Sequence, residues 1–155
     1  RNRRPVYGGG GIMPDLFVPI DTTMYSTYYR DLVAKGIINR FAITYVDANR
    51  KSLRAEYPDG EAFDRGFTFT PEMLDEVVAL GRADSVMPDS AMFEKSRPLI
   101  ATIVKGLIAR DLFESTDYFR VVNPALSPSY RAALDLINDE ERYNRLLREG
   151  AVPNK

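Results

Sequence analysis

The sequence predicts an all-α fold of about six helices in an irregular bundle, preceded by an extended, glycine-rich N-terminal arm. Three observations predict it. Apolar residues recur at i, i+3, i+4 and i+7 along much of the 155 residues, most completely at Ile100, Ile103, Val104, Leu107, Ile108 and Leu112, which is the period of one helix face. Capping pairs such as Thr70-Pro71, Asp89-Ser90 and Ser127-Pro128 stand just ahead of such stretches, where their side chains can satisfy the first free amides. The first twenty residues lack that period and carry four consecutive glycines, Gly8 to Gly11, together with Pro14 and Pro19. Residues 1–20 are therefore read as the arm and 21–155 as a helical domain.

In the arm, a run of glycines disfavours any regular element and persists where the chain needs positive φ or a close backbone approach. Pro14 biases Met13 toward an extended conformation. The arm reads as an extended entry, a glycine-built turn and an extended exit through Leu16-Phe17-Val18-Pro19. The amides of such a turn could face an anion, but a Walker loop closes with Gly-Lys-Ser/Thr, and the dinucleotide fingerprint needs a third glycine where this chain has Met13. A structural turn is the reading kept.

The first helix is expected over roughly residues 22–35, capped within Asp21-Thr22-Thr23, with Tyr25, Tyr28, Tyr29 and Leu32 on one face and Gly36 as its stop. A tyrosine stripe can stack on a ligand, yet at helical spacing it reads as a core or interface face. The second helix places Ile38, Phe41, Ala42, Tyr45 and Leu53 on one side and ends near Tyr57, before Pro58-Asp59-Gly60. So few residues separate these two helices that they form a hairpin or a sharp corner. Between Glu61 and Thr70 the period changes, and Phe67-Thr68-Phe69 reads as a short extended segment. Thr70-Pro71 opens a third helix with Leu74, Val77, Val78 and Gly81 on its buried stripe, followed by a linker over 84–90.

The fourth helix, roughly 89–114, carries the longest stripe, with Ile103 to Leu107 as the expected centre of the core and Lys105, Arg110 and Glu114 off that face. Pro98 inside it either bends the helix or divides it at Arg97. A short piece from Thr116 to Val122 ends at Asn123-Pro124. The tail offers Tyr130, Ala133, Leu134 and Ile137, then Tyr143, Leu146 and Leu147, with Asp139 to Arg142 between them as a solvated face or a junction.

Composition narrows the function classes. A net charge of -1 argues against a nucleic-acid binder, since the only basic cluster is Arg1, Arg3 and Arg4 and phosphate neutralisation needs a basic excess. No apolar run approaches the roughly 20 residues a membrane helix requires. With no His and no Cys, a Ser/His triad, a thiol nucleophile and a usual zinc site are excluded. Ser/Lys, Thr, Tyr and carboxylate chemistries remain. No Ser-x-x-Lys motif occurs, and the adjacent Lys95-Ser96 would point to different faces of a helix. Asp75-Glu76 and Asp139-Glu140-Glu141 read as solvated helix faces. The sequence accordingly assigns no catalytic residue, no cofactor-binding residue and no metal ligand.

Val6-Tyr7-Gly8-Gly9-Gly10-Gly11-Ile12-Met13-Pro14-Asp15 resembles the segment that closes the peptidase core in the C-terminal processing peptidases, or tail-specific proteases, which use a Ser/Lys dyad. Gly11, Ile12, Pro14 and Asp15 match the Gly-Ile-x-Pro-Asp sequence those proteins carry there. Ile103 to Asn123 is similar to a helical pattern in the C-terminal region of some longer members. In that family the catalytic serine and lysine precede the glycine segment. The resemblance thus implies a non-catalytic C-terminal piece that completes the core and packs against or assembles the parent enzyme. It also implies a periplasmic or cell-envelope location and the remainder of the peptidase chain as partner. The runner-up from the residues is a free-standing helical interaction module with the tyrosine face of the first helix as its contact surface. The arm, lacking strands of its own to pair with, is expected to be held by a second copy or to lie back along its own helices through Phe17 and Val18.

Overall fold

The structure, a computed structural model, describes residues 14–20 and 23–149. The glycine turn and the expected caps Asp21 and Thr22 lie outside the described residues. Among those described there are eight α-helices and no strand: α1 Thr27–Ala34, α2 Ile37–Glu56, α3 Gly60–Gly66, α4 Pro71–Ala83, α5 Ser90–Leu112, α6 Ser115–Leu126, α7 Pro128–Ile137 and α8 Glu140–Glu149. The all-α class is as expected. The count of about six is corrected to eight. Contacts divide the chain into two compact units, Asp21–Leu126 and Arg1–Ile20 with Ser127–Lys155.

In the larger unit α5 is the axis, with α1, α2, α3 and α6 packed against it and α4 packed on α2. Leu99, Ile100, Val104, Ile108 and Leu112 of α5 are all at most 2% exposed and meet Leu32, Ile37, Val46, Phe63 and Val77 from the surrounding helices. Burying each such side chain favours folding by roughly 1.5–3 kcal/mol, so α5 supplies the largest share of the core. Leu107 is buried beside Val104, while Ile103 is half-buried.

Local chemistry sets most boundaries. Thr70 caps α4, its hydroxyl accepting from Met73 N at 3.4 Å with Pro71 in the first turn. Gly36 sits at φ 69 between α1 and α2, a left-handed conformation that disfavours any residue with a Cβ. Three expectations are corrected. Helix α1 begins at Thr27 rather than near 22, because Ser26 is the cap and accepts from Tyr29 N at 3.1 Å. Residues 60–66 are helical, since Asp59 accepts from Ala62 N at 2.8 Å and the i, i+4 pair Phe63 and Phe67 stack with ring centroids 4.5 Å apart.

The third correction concerns a proline. Helix α6 runs to Leu126 through Pro124 instead of ending at Val122, and of the two outcomes open at Pro98 the structure has the undivided helix. Each proline removes one ladder hydrogen bond, to the carbonyl four residues back. Those carbonyls belong to Glu94 and Arg120, both exposed, and Pro98 and Pro124 are exposed as well, so water can serve the freed oxygens.

The smaller unit holds α7 and α8, which pack on each other. Ser127 caps α7 by accepting from Tyr130 N at 3.1 Å, and Asp139 accepts from Arg142 N at 3.0 Å ahead of α8. No residue of α7 is buried. Residues 14–20 form no helix or strand, and Phe17 and Ile20 are largely exposed.

Candidate functional site

Two clefts flank Arg120 of α6, where α3 and α5 approach that helix. The first is polar and built on Asp117. This carboxylate stands three residues after Glu114, the residue preceding α6, and its Oδ2 accepts from Glu114 N at 3.2 Å, the reciprocal half of a capping box with Asp in place of Glu. Its Oδ1 accepts from Arg120 Nε at 3.1 Å. Helix α3 then closes on it from the other side: a Cβ on Gly60 would fall inside the Asp117 carboxylate. Asp117 is thereby buried, 7% exposed, although charged, and two hydrogen bonds plus the start of α6 offset its desolvation. The cleft also takes in Arg54, whose guanidinium lies 4.8 Å from the Phe113 ring centroid, and the carboxylates Asp59, Glu61 and Glu114. Two cations against four carboxylates give it no pull on anions.

The second cleft is a groove floored by Phe67, Phe69, Ala101 and Val121. Lys105 reaches across it to α3, donating to the Asp64 carbonyl at 2.5 Å and lying 3.4 Å from the Asp64 carboxylate. It thereby satisfies one of the last carbonyls of α3. Periodicity places Lys105 off the apolar face of α5, but it is only 20% exposed, because α3 covers it. The legible signal was Asp59 ahead of Phe63 and Phe67, a capping residue followed by an apolar pair at helical spacing.

Ser96 is fully buried, bonded to Ser26 Oγ at 2.5 Å and to the Met92 carbonyl at 2.7 Å, while Lys95 is exposed. Lys35 donates to the Asp84 carbonyl. Asp75, Glu76, Glu140 and Glu141 are exposed, and Asp139 caps α8. Among the described residues no three acidic side chains gather to hold a metal ion, and no helix is long and apolar enough to cross a membrane. Of the tyrosine stripe, Tyr28 and Tyr29 are buried with Leu32, and Tyr25 stays 45% exposed. Burial, with the neighbouring Tyr118 and Tyr25 phenols, pushes the Tyr29 phenol up to about 12. Arg120 and Asp117, which organise the clefts, carry no sequence signal beyond their i, i+3 spacing.

The Thr102 hydroxyl donates to the Pro98 carbonyl at 2.9 Å and Lys105 to the Asp64 carbonyl, so each is held by a structural partner. No curated protein and no solved structure matches the chain significantly. A family model does match, over residues 28–114, from the second residue of α1 to just beyond α5 and hence across the central helix and most of its partners. On that match, which covers more than half of its length, the chain belongs to the family of unknown function DUF8443.

Proposed function

We propose that this chain is the non-catalytic, helical C-terminal region of a Ser/Lys C-terminal processing peptidase, where it completes the protease core through its arm and packs against or assembles the parent enzyme. The observation that carries the reading is the resemblance of Gly11, Ile12, Pro14 and Asp15 to the segment closing that core. The second similar stretch, Ile103 to Asn123, supports it from another direction: it spans the α5–α6 pair, whose Val104, Ile108, Leu112 and Val121 are core residues. Such an enzyme would act in the periplasm or cell envelope on protein C-termini. The test is proteolysis by this chain and by the longer polypeptide containing it. Turnover by the longer polypeptide, lost on replacing a serine that precedes Arg1, is the expected result; turnover by this chain, lost on replacing one of its own serines, would overturn the reading.

A second reading is a free-standing helical interaction module; the tyrosine face of α1 expected as its contact surface is largely buried, at Tyr28 and Tyr29, and the reading is favoured instead by the exposure of Tyr130, Leu134 and Ile137 at i, i+4 and i+7 along α7. An initiator methionine immediately upstream, with no peptidase segment, would decide for it.

A further inference from the structure

Outside the helices, the described residues satisfy backbone groups by turns and caps, but none of these hydrogen bonds involves Thr68 or Phe69. These two residues lie on the extended stretch between α3 and α4, where Phe67 has φ -75 and ψ 128. Phe67 and Phe69 turn inward, the first buried and the second half-buried, while Thr68 between them faces outward. That alternation is the one a strand presents, and a strand with unsatisfied amides and carbonyls is a template for another chain.

The stretch also forms one wall of the groove. Across from it stand Lys105 and Arg120, two cations against the single carboxylate Asp64 among the lining residues. Asp64 is engaged by Lys105. Arg120 is held from behind by Nε on Asp117, which does not line the groove, and its two terminal nitrogens have no partner among the described residues. At 49% exposure, this fork is free to take a carboxylate in the bidentate manner guanidinium favours.

We propose that the groove holds an extended peptide segment of a partner protein, paired through its backbone to Thr68 and Phe69 and placing an acidic side chain on the Arg120 fork. Backbone pairing supplies affinity without sequence preference, and the fork with the apolar floor at Ala101 and Val121 supplies selectivity. This inference stands apart from the peptidase reading, whose failure would leave the chemistry of the groove unchanged.

The experiment titrates the isotope-labelled full chain with an acetylated, amidated peptide of alternating valine and threonine that carries one central aspartate, and with the same peptide carrying asparagine. The expected result is amide shifts concentrated at Thr68 and Phe69, with affinity about tenfold lower for the asparagine peptide, as loss of one charge-assisted contact gives. Thr68→Pro should abolish binding while leaving the helical signal intact, because Phe67 already has the conformation a following proline demands. Equal affinity for the two peptides would overturn the proposal. So would unchanged binding by Thr68→Pro, shifts confined to α7, or no binding at all.

Discussion

Ser26 and Ser96 place their hydroxyl oxygens 2.5 Å apart although 70 residues separate them. The protons can be assigned. Ser96 donates to the Met92 carbonyl at 2.7 Å, so its oxygen is the acceptor toward Ser26, which itself accepts from Tyr29 N at 3.1 Å. One relay thus joins the cap of α1 to the backbone of α5, and both side chains are buried. A residue that caps a helix locally also fixes where that helix docks.

Replacing Ser96 by Ala should cost about 1–3 kcal/mol, the penalty of leaving the Ser26 donor buried without its acceptor. Ser26→Ala should cost at least as much, since a helix cap worth about 1 kcal/mol is lost as well. In urea denaturation the double variant should be destabilised by less than the sum. Additive losses would mean that the two hydroxyls are not coupled.

Gly60→Ala should destabilise through Asp117. The new methyl group would occupy the carboxylate's place, forcing a buried charge off both Glu114 N and Arg120, a loss on the order of 2 kcal/mol. Asp117→Ala should make the Gly60→Ala change far milder, measured as the difference in denaturation midpoint in the two backgrounds.

Leu107→Ala should cost on the order of 2–5 kcal/mol, and Val104→Ala somewhat less, because both are buried on the helix against which α1, α2, α3 and α6 pack. Lys105→Ala should cost about 1 kcal/mol, more than an open surface position, through loss of its bond to the Asp64 carbonyl. Equal midpoints for Leu107→Ala and Lys105→Ala would reverse this assignment of faces.

Tyr28→Phe should leave stability unchanged or raise it. The Tyr28 ring is 3% exposed and packs edge-on to Phe93, and its hydroxyl has no hydrogen-bond partner among the described residues. Removing an unsatisfied buried hydroxyl while keeping the ring removes only a penalty. A clear fall in melting temperature would show that the hydroxyl has a partner in solution.

Stability should fall at alkaline pH. Tyr29 is held protonated by burial, its phenol raised from 10.0 to about 12, and burial raises the Tyr28, Tyr45 and Tyr118 phenols as well. A group whose folded value lies above its unfolded value contributes its full stabilisation below the unfolded value and loses it as pH rises through the folded one. The window for Tyr29 is therefore pH 10 to about 12. Phenolate absorbance and helical circular dichroism followed together should show late ionisation coinciding with unfolding, and Tyr29→Phe should weaken that dependence.

The sequence by itself determined the all-α class, the faces of α2, α4 and α5, and the boundaries made by Thr70, Gly36 and Ser127, because each rests on groups within about four residues of one another. It left open whether Pro98 divides α5, and its reading that Pro124 ends α6 is the one the structure overturns. A proline always removes one hydrogen bond, but whether the helix survives depends on whether the freed carbonyl meets solvent, and that is a property of the packed molecule. The same holds for α3, a short helix secured by Phe63 against Phe113 and by Lys105 on its last turn. Lys105 was legible as a residue off the stripe and illegible as a cap, since its partner lies 41 residues away. The placing of the Arg120 guanidinium beside the extended backbone of Thr68 and Phe69 belongs to the tertiary structure entirely: it exists only once α3, α5 and α6 have packed together.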